Sequence, residues 1–102
     1  CCEVRDGKTR PFVLTPEELG FARCAPEELA GGSPQENAAI TRAILGGEKG
    51  PKRDAVVLNA AASIYMVRDG ISLGRAARLA EELIDSGKAK RQLERFIELS
   101  NR

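Results

Sequence analysis

The 102-residue chain has no histidine and no tryptophan, and aromatic residues make up only 4% of it. Without an imidazole, histidine general-base catalysis, Ser-His-Asp triads and His-containing zinc sites are excluded. Three cysteines, Cys1, Cys2 and Cys24, are too few and too oddly spaced for a disulfide framework or a paired Cys-x-x-Cys metal site, which points to a reducing setting. No apolar run is long enough to span a bilayer, and no basic segment followed by an apolar one marks a signal peptide. The expectation is a soluble cytoplasmic chain with no membrane partner. Net charge is also nearly missing, since 16 basic side chains meet 15 acidic ones for +1. That leaves no field for a nucleic-acid partner. What is present, 42% hydrophobic and 30% charged residues, is globular in character and enough for one modest domain.

Residues 1–32 predict a hairpin and a connector. Cys2-Glu3-Val4-Arg5 alternates, Asp6-Gly7-Lys8 supplies the turn, and Thr9 to Leu14 forms the second strand. A lone hairpin is marginal in water and needs further strands or a helix layer. Thr15-Pro16-Glu17-Glu18 then has a capping residue, proline at the first helical position and glutamate three residues after the cap, with Gly20 placed for a left-handed stop. Ala25-Pro26-Glu27-Glu28-Leu29 repeats the pattern before Gly31-Gly32.

Residues 33–102 predict four helices. Ser33-Pro34-Gln35-Glu36 reads as a full capping box for a helix over 34–45, with Ile40, Ala43 and Ile44 on one stripe. After a glycine loop, Asp54 caps a run from Ala55 to Val67 that has almost no polar face and must be covered on most sides. Ser72 caps a third helix with Leu73, Ala76, Ala77, Ala80, Leu83 and Ile84 inward and Arg75, Arg78, Glu81, Glu82 and Asp85 in water, stopped by Gly87. A fourth over 88–100 turns Ala89, Leu93, Phe96 and Ile97 inward and pairs Lys90 with Glu94 outside.

Convergent reactive groups are scarce. The pairs Glu17-Glu18, Glu27-Glu28 and Glu81-Glu82 sit in first turns or on outward faces, as the helix dipole favours. Gly31-Gly32-Ser33 precedes a helix start, where backbone amides can meet an anion, yet no strand precedes it and no phosphate-loop pattern surrounds it. Lys88, Lys90, Arg91 and Arg95 are interspersed with Glu94 and Glu98, as on a solvated face. Asn59 lies inside the most apolar helix, where a buried amide needs partners, either a loop backbone or a ligand. No residue is assigned a catalytic, substrate-binding or metal-binding role. Ser33, Glu36, Asn37 and Asn59 are the structural or outer-contact candidates.

Read in order, Gly31-Gly32-Ser33-Pro34-Gln35-Glu36-Asn37-Ala38, Ile44-Leu45-Gly46-Gly47-Glu48-Lys49-Gly50-Pro51, Arg53-Asp54-Ala55-Val56-Val57-Leu58-Asn59-Ala60-Ala61-Ala62 and Asp85-Ser86-Gly87-Lys88-Ala89 resemble the C-terminal end of the anthranilate phosphoribosyltransferase family. Thr15-Pro16-Glu17-Glu18-Leu19-Gly20 resembles that family's segment after the hairpin. The resemblance implies transfer of phosphoribosyl from phosphoribosyl pyrophosphate to anthranilate in tryptophan biosynthesis, with Mg2+, in a cytoplasmic homodimer. It implies an α/β fold for the parent, with a large domain like that of nucleoside phosphorylases. Residues 1–102 would form one C-terminal portion of that domain, mostly α, a β-hairpin followed by about four helices. The family's Gly-Thr-Gly-Gly-Asp loop, Lys-His-Gly-Asn segment and metal-binding Asp-Glu pair belong upstream of Cys1. The chain does not begin with Met and opens directly on a strand, so it is expected to be cut from something longer, inactive alone, and prone to self-association or incomplete folding. A fragment of a pyrimidine nucleoside phosphorylase and a free-standing helical interaction module are the other readings.

Overall fold

The computed structural model describes residues 1–102. Cys2–Arg5 and Lys8–Pro11 pair antiparallel as β1 and β2, in register from Cys2 opposite Pro11 to Arg5 opposite Lys8. Asp6 and Gly7 both have positive φ, 52° and 75°. This two-residue turn is the mirror-image type whose twist matches that of paired strands, which explains an aspartate-glycine pair here. The second strand is shorter than the sequence predicts. Its ladder ends at Pro11, which has no N–H to give, and the Phe12 N–H closes the hairpin on the Cys1 carbonyl at 2.9 Å. Val13 lies beyond any partner and is exposed.

Two 3-10 turns follow, Pro16–Leu19 and Pro26–Leu29. Gly20 takes φ 84° and its N–H donates to the Glu17 carbonyl at 3.0 Å, the left-handed stop its position predicts. Leu19 and Phe21 are buried against the helices. Arg78 fixes them there, donating from Nη2 to the Leu19 carbonyl at 2.6 Å with its guanidinium 5.4 Å from the centre of the Phe21 ring.

The helices are α1 (Pro34–Leu45), α2 (Pro51–Val67), α3 (Leu73–Asp85) and α4 (Lys88–Ser100). The Oγ atoms of Ser33 and Ser72 each accept a backbone N–H three residues on, at 3.1 Å. Gly87 takes φ 80°, ending α3 and opening α4. The box at Ser33 is only half formed, because the Glu36 carboxylate turns to lie against the Cα of Gly32 instead of returning to the cap. Asp54 is not a cap. α2 begins one turn earlier at Pro51, whose fixed φ suits a first helical position and whose missing N–H leaves no donor unpaired there.

The core is small. Leu19, Phe21, Ile44, Val57, Ala61, Ala76, Ala77, Ala80 and Ile84 form it, and four of these, Val57, Ala61, Ala76 and Ala77, are fully shut from solvent. Alanines at the α2–α3 seam let the two backbones approach closely around Val57, whose burial contributes about 1.5 to 3 kcal/mol. Coverage elsewhere falls short of the expectation. α2 is packed on one face only, Leu83 lies at the edge of exposure, and Phe96 is 66% exposed, not inward. No fully buried residue belongs to α4, and Lys90 and Glu94 do not form an ion pair. No helix is long and apolar enough to cross a membrane.

Candidate functional site

The first of two polar constructions ties the hairpin to α2. Glu3 on β1 accepts from Arg10 Nη2 at 2.7 Å through Oε1, and from Tyr65 Oη at 2.8 Å and Arg5 Nε at 3.2 Å through Oε2. Arg5 also lies 5.6 Å from the centre of the Tyr65 ring. The hydrogen bond from Arg10, then that from Tyr65, holds the Glu3 carboxyl at about 2, below its ordinary 4.5. Below this clasp is an open groove of about 820 Å³ lined by Val4, Phe12, Leu14, Ala62, Met66 and Leu73. Sequence reasoning missed the clasp. Its signal was the chain's single tyrosine, set in a stretch, Ala55 to Val67, that carries no charge.

A folded carboxyl held below its ordinary value stabilises the fold most where it is ionised. The contribution of Glu3 is therefore complete above 4.5 and is lost as pH falls toward about 2. Thermal melts of the protein and of Glu3→Gln should differ by a constant gap above 4.5 and converge near 2. A gap that ignores pH would show that the ionised clasp contributes nothing.

The second construction gathers three of the four predicted residues. Asn37 Oδ1 accepts the Gly32 N–H at 2.9 Å, and Asn37 Nδ2 donates back to the Gly32 carbonyl at 3.2 Å. Ser33 Oγ takes the Glu36 N–H, and the Glu36 carboxylate lies against Gly32. A side chain at Gly31 or Gly32 would meet the end of the Asn37 or Glu36 side chain and displace it. The arrangement caps a helix and repels an anion, since a carboxylate sits where the anion would arrive. Asn37 also lines a shallow groove of about 290 Å³ between α1 and α2, shared with Ile40, Ile44, Ala55 and Val56.

Asn59 is not brought to these residues. It is exposed on the outer face of α2 and donates from Nδ2 to the Ala55 carbonyl of its own helix at 2.8 Å, where the sequence suggests a buried amide fastening a loop. The helix is uncovered on that side, so the amide bonds locally.

Four of the six paired glutamates are engaged in structure. Glu17 grips Arg23 at 2.9 and 3.2 Å, which lowers its pKa, while Glu18 and Glu28 accept the N–H groups of Thr15 and Ala25, and Glu81 pairs with Arg78 at 3.2 Å. Asp85 faces not only water. It binds Arg53, 6% exposed at the start of α2, through bonds of 2.8 and 3.1 Å that raise the Arg53 pKa and lower that of Asp85. All three thiols are free, and no three His, Cys, Asp or Glu side chains converge on a point that could hold a metal.

The profile described as the glycosyl transferase family, a/b domain, matches residues 1–90. The chain belongs to this family. Within it, the anthranilate phosphoribosyltransferase of Lachnoclostridium phytofermentans is 65% identical over 102 residues, covering 100% of this chain and 30% of its own length. That of Methanobrevibacter smithii is 54% identical over 100 residues, covering 98% of this chain and 30% of its own. The crystal structure of the Thermus thermophilus anthranilate phosphoribosyltransferase superimposes with a TM-score of 0.83 at 44% identity, over 89% of this chain and 28% of that one. The chain thus spans about 30% of the length of the curated relatives it matches. The chain is thus a portion of a polypeptide of this family, matched to its a/b domain over residues 1–90.

Proposed function

We propose that the chain is the C-terminal structural part of an anthranilate phosphoribosyltransferase, a transferase that moves phosphoribosyl from phosphoribosyl pyrophosphate to the amine of anthranilate. The observation that carries this reading is identity of 65% running through all 102 residues to an enzyme of that name. The Mg2+ carboxylates and the diphosphate cradle lie, on this reading, in the other part of the polypeptide, and the whole enzyme works as a cytoplasmic homodimer in tryptophan biosynthesis. The role of these residues is to fold the end of the large domain and to back its sheet. They neither bind the diphosphate nor touch the reacting atoms.

Grafting residues 1–102 in place of the matching 30% of the Lachnoclostridium phytofermentans enzyme tests this. The chimera should transfer phosphoribosyl to anthranilate with kcat/KM within about tenfold of the parent, a loss of no more than ~1.4 kcal/mol in transition-state stabilisation. The 102-residue chain alone should give no heat with phosphoribosyl pyrophosphate in calorimetry. A folded but inactive chimera, or binding by the chain alone, would sink the proposal.

A further inference from the structure

We propose that the outer face of α4 is a docking surface for an acidic amphipathic helix of another protein. Residues 88–102 carry five basic and two acidic side chains, a net +3, whereas residues 1–87 carry eleven and thirteen, a net −2. Basic charge is thus concentrated in the last helix. In the sequence it is interspersed with Glu94 and Glu98, but the helix sorts it. Lys88, Arg91 and Arg95 fall at i, i+3 and i+7 and make one row, which Leu99 continues four residues on. Phe96 borders the row, and Phe96 and Leu99 are 66 and 48% exposed. Glu94 falls outside it, and Glu98 at its margin is taken up by Arg102 at 3.1 Å. Lys88, Arg91 and Arg95 are exposed and form no ion pair.

Three unpaired cations beside two uncovered apolar side chains fix the chemistry of what fits. From Lys88 to Leu99 the row runs about 16 Å, roughly three helical turns. A helix laid along it meets the cations with carboxylates on one side and covers Phe96 and Leu99 with apolar side chains on the other. Other occupants suit it less. In a two-fold contact between copies the patch would meet itself, cation against cation. A membrane-surface helix needs a broad apolar face, but Ala89 is packed against the core and Leu93 and Ile97 are half-buried, which leaves only Phe96 and Leu99. The rest of the polypeptide would have to bury unpaired charges here. The family profile also ends at Lys90, before most of the row.

The probe is a fluorescent synthetic peptide of about three heptads, with leucine at a and d and glutamate at e and g, titrated by anisotropy against the chimera described above. It should bind saturably, at least about tenfold more tightly than a shuffled peptide of the same composition, and weaken as NaCl is raised. Arg95→Glu and Phe96→Ser should each weaken binding about tenfold or more. Lys90→Glu, the same change of charge on the other side of the helix, should matter less than about twofold. Equal losses from Arg95→Glu and Lys90→Glu would reduce the surface to bulk charge and overturn the proposal. So would equal affinity for the shuffled peptide, a dimer by light scattering that Phe96→Ser dissociates, or binding through Arg95 to phosphatidylserine vesicles and not to the peptide. The same titration on the 102-residue chain covers a graft that does not fold, and absence of binding to both overturns the proposal. None of the three substitutions lies at a residue of the proposed transfer reaction, so the chimera's kcat/KM for anthranilate reports on the functional reading alone.

Discussion

Leucine in place of Ala77 should cost the fold about 3 kcal/mol or more, at the upper end of what an overpacked core suffers. Ala77 is fully shut from solvent on the α3 side of the seam, with Ala76 and Ala80 beside it and Val57 and Ala61 among its core neighbours. Nothing at this seam is large or flexible enough to give way, so three added heavy atoms must push α2 and α3 apart and strip Val57 of its contacts. For a domain of this size the melting temperature should fall by roughly 12 to 24 °C. Arg75→Leu, on the exposed face of the same helix, is the control and should change stability by no more than about 0.5 kcal/mol. Circular dichroism melts decide the matter. An Ala77→Leu protein that melts within two or three degrees of the parent, on the order of its control, would show that the seam is loose.

The second large effect concerns Arg53 and Asp85. Asp85→Asn removes the charge, on a side chain itself 52% exposed, that faces an arginine side chain only 6% exposed. A buried charge stripped of its partner is far more costly than the pair replaced by apolar groups of similar volume. Asp85→Asn alone should therefore lower the melting temperature clearly. Adding Arg53→Met should recover most of the loss, since methionine fills the space and brings no charge. Because the Asp85 carboxyl is held below its ordinary 3.8, the contribution of the pair is present above that pH and lost as pH falls below it. A double variant as unstable as the single one would mean that packing of the arginine stem, not its charge, decides this site.

Local features were legible in the sequence because local chemistry fixes them. The bounds of α1 follow from Ser33 and Pro34 at one end and Gly46-Gly47 at the other, those of α3 and α4 from Ser72 and Gly87, and the hairpin from Asp6-Gly7. The family was legible for the same reason, through runs of residues that need no fold to be read. What escaped depends on which elements meet. Asn59, Phe96 and Val56 stand on faces that helical spacing marks as apolar, yet only the layer beside them determines whether they are covered. Arg53 with Asp85 and Glu3 with Tyr65 are partners 32 and 62 residues apart, and no spacing rule reaches that far.

That last separation bears on the order in which the chain folds. α2 packs on α3, and α3 on α4, across short loops, while α1 reaches past α2 to α3 and α4. Local connectivity of this kind places folding in the microsecond to millisecond range, whereas an attachment across 62 residues must first close a long loop. The alanine seam should be in place before the Glu3 clasp closes. The earliest of these 102 residues to be synthesised would then be the last of them to settle, waiting on a tyrosine that leaves the ribosome well after them.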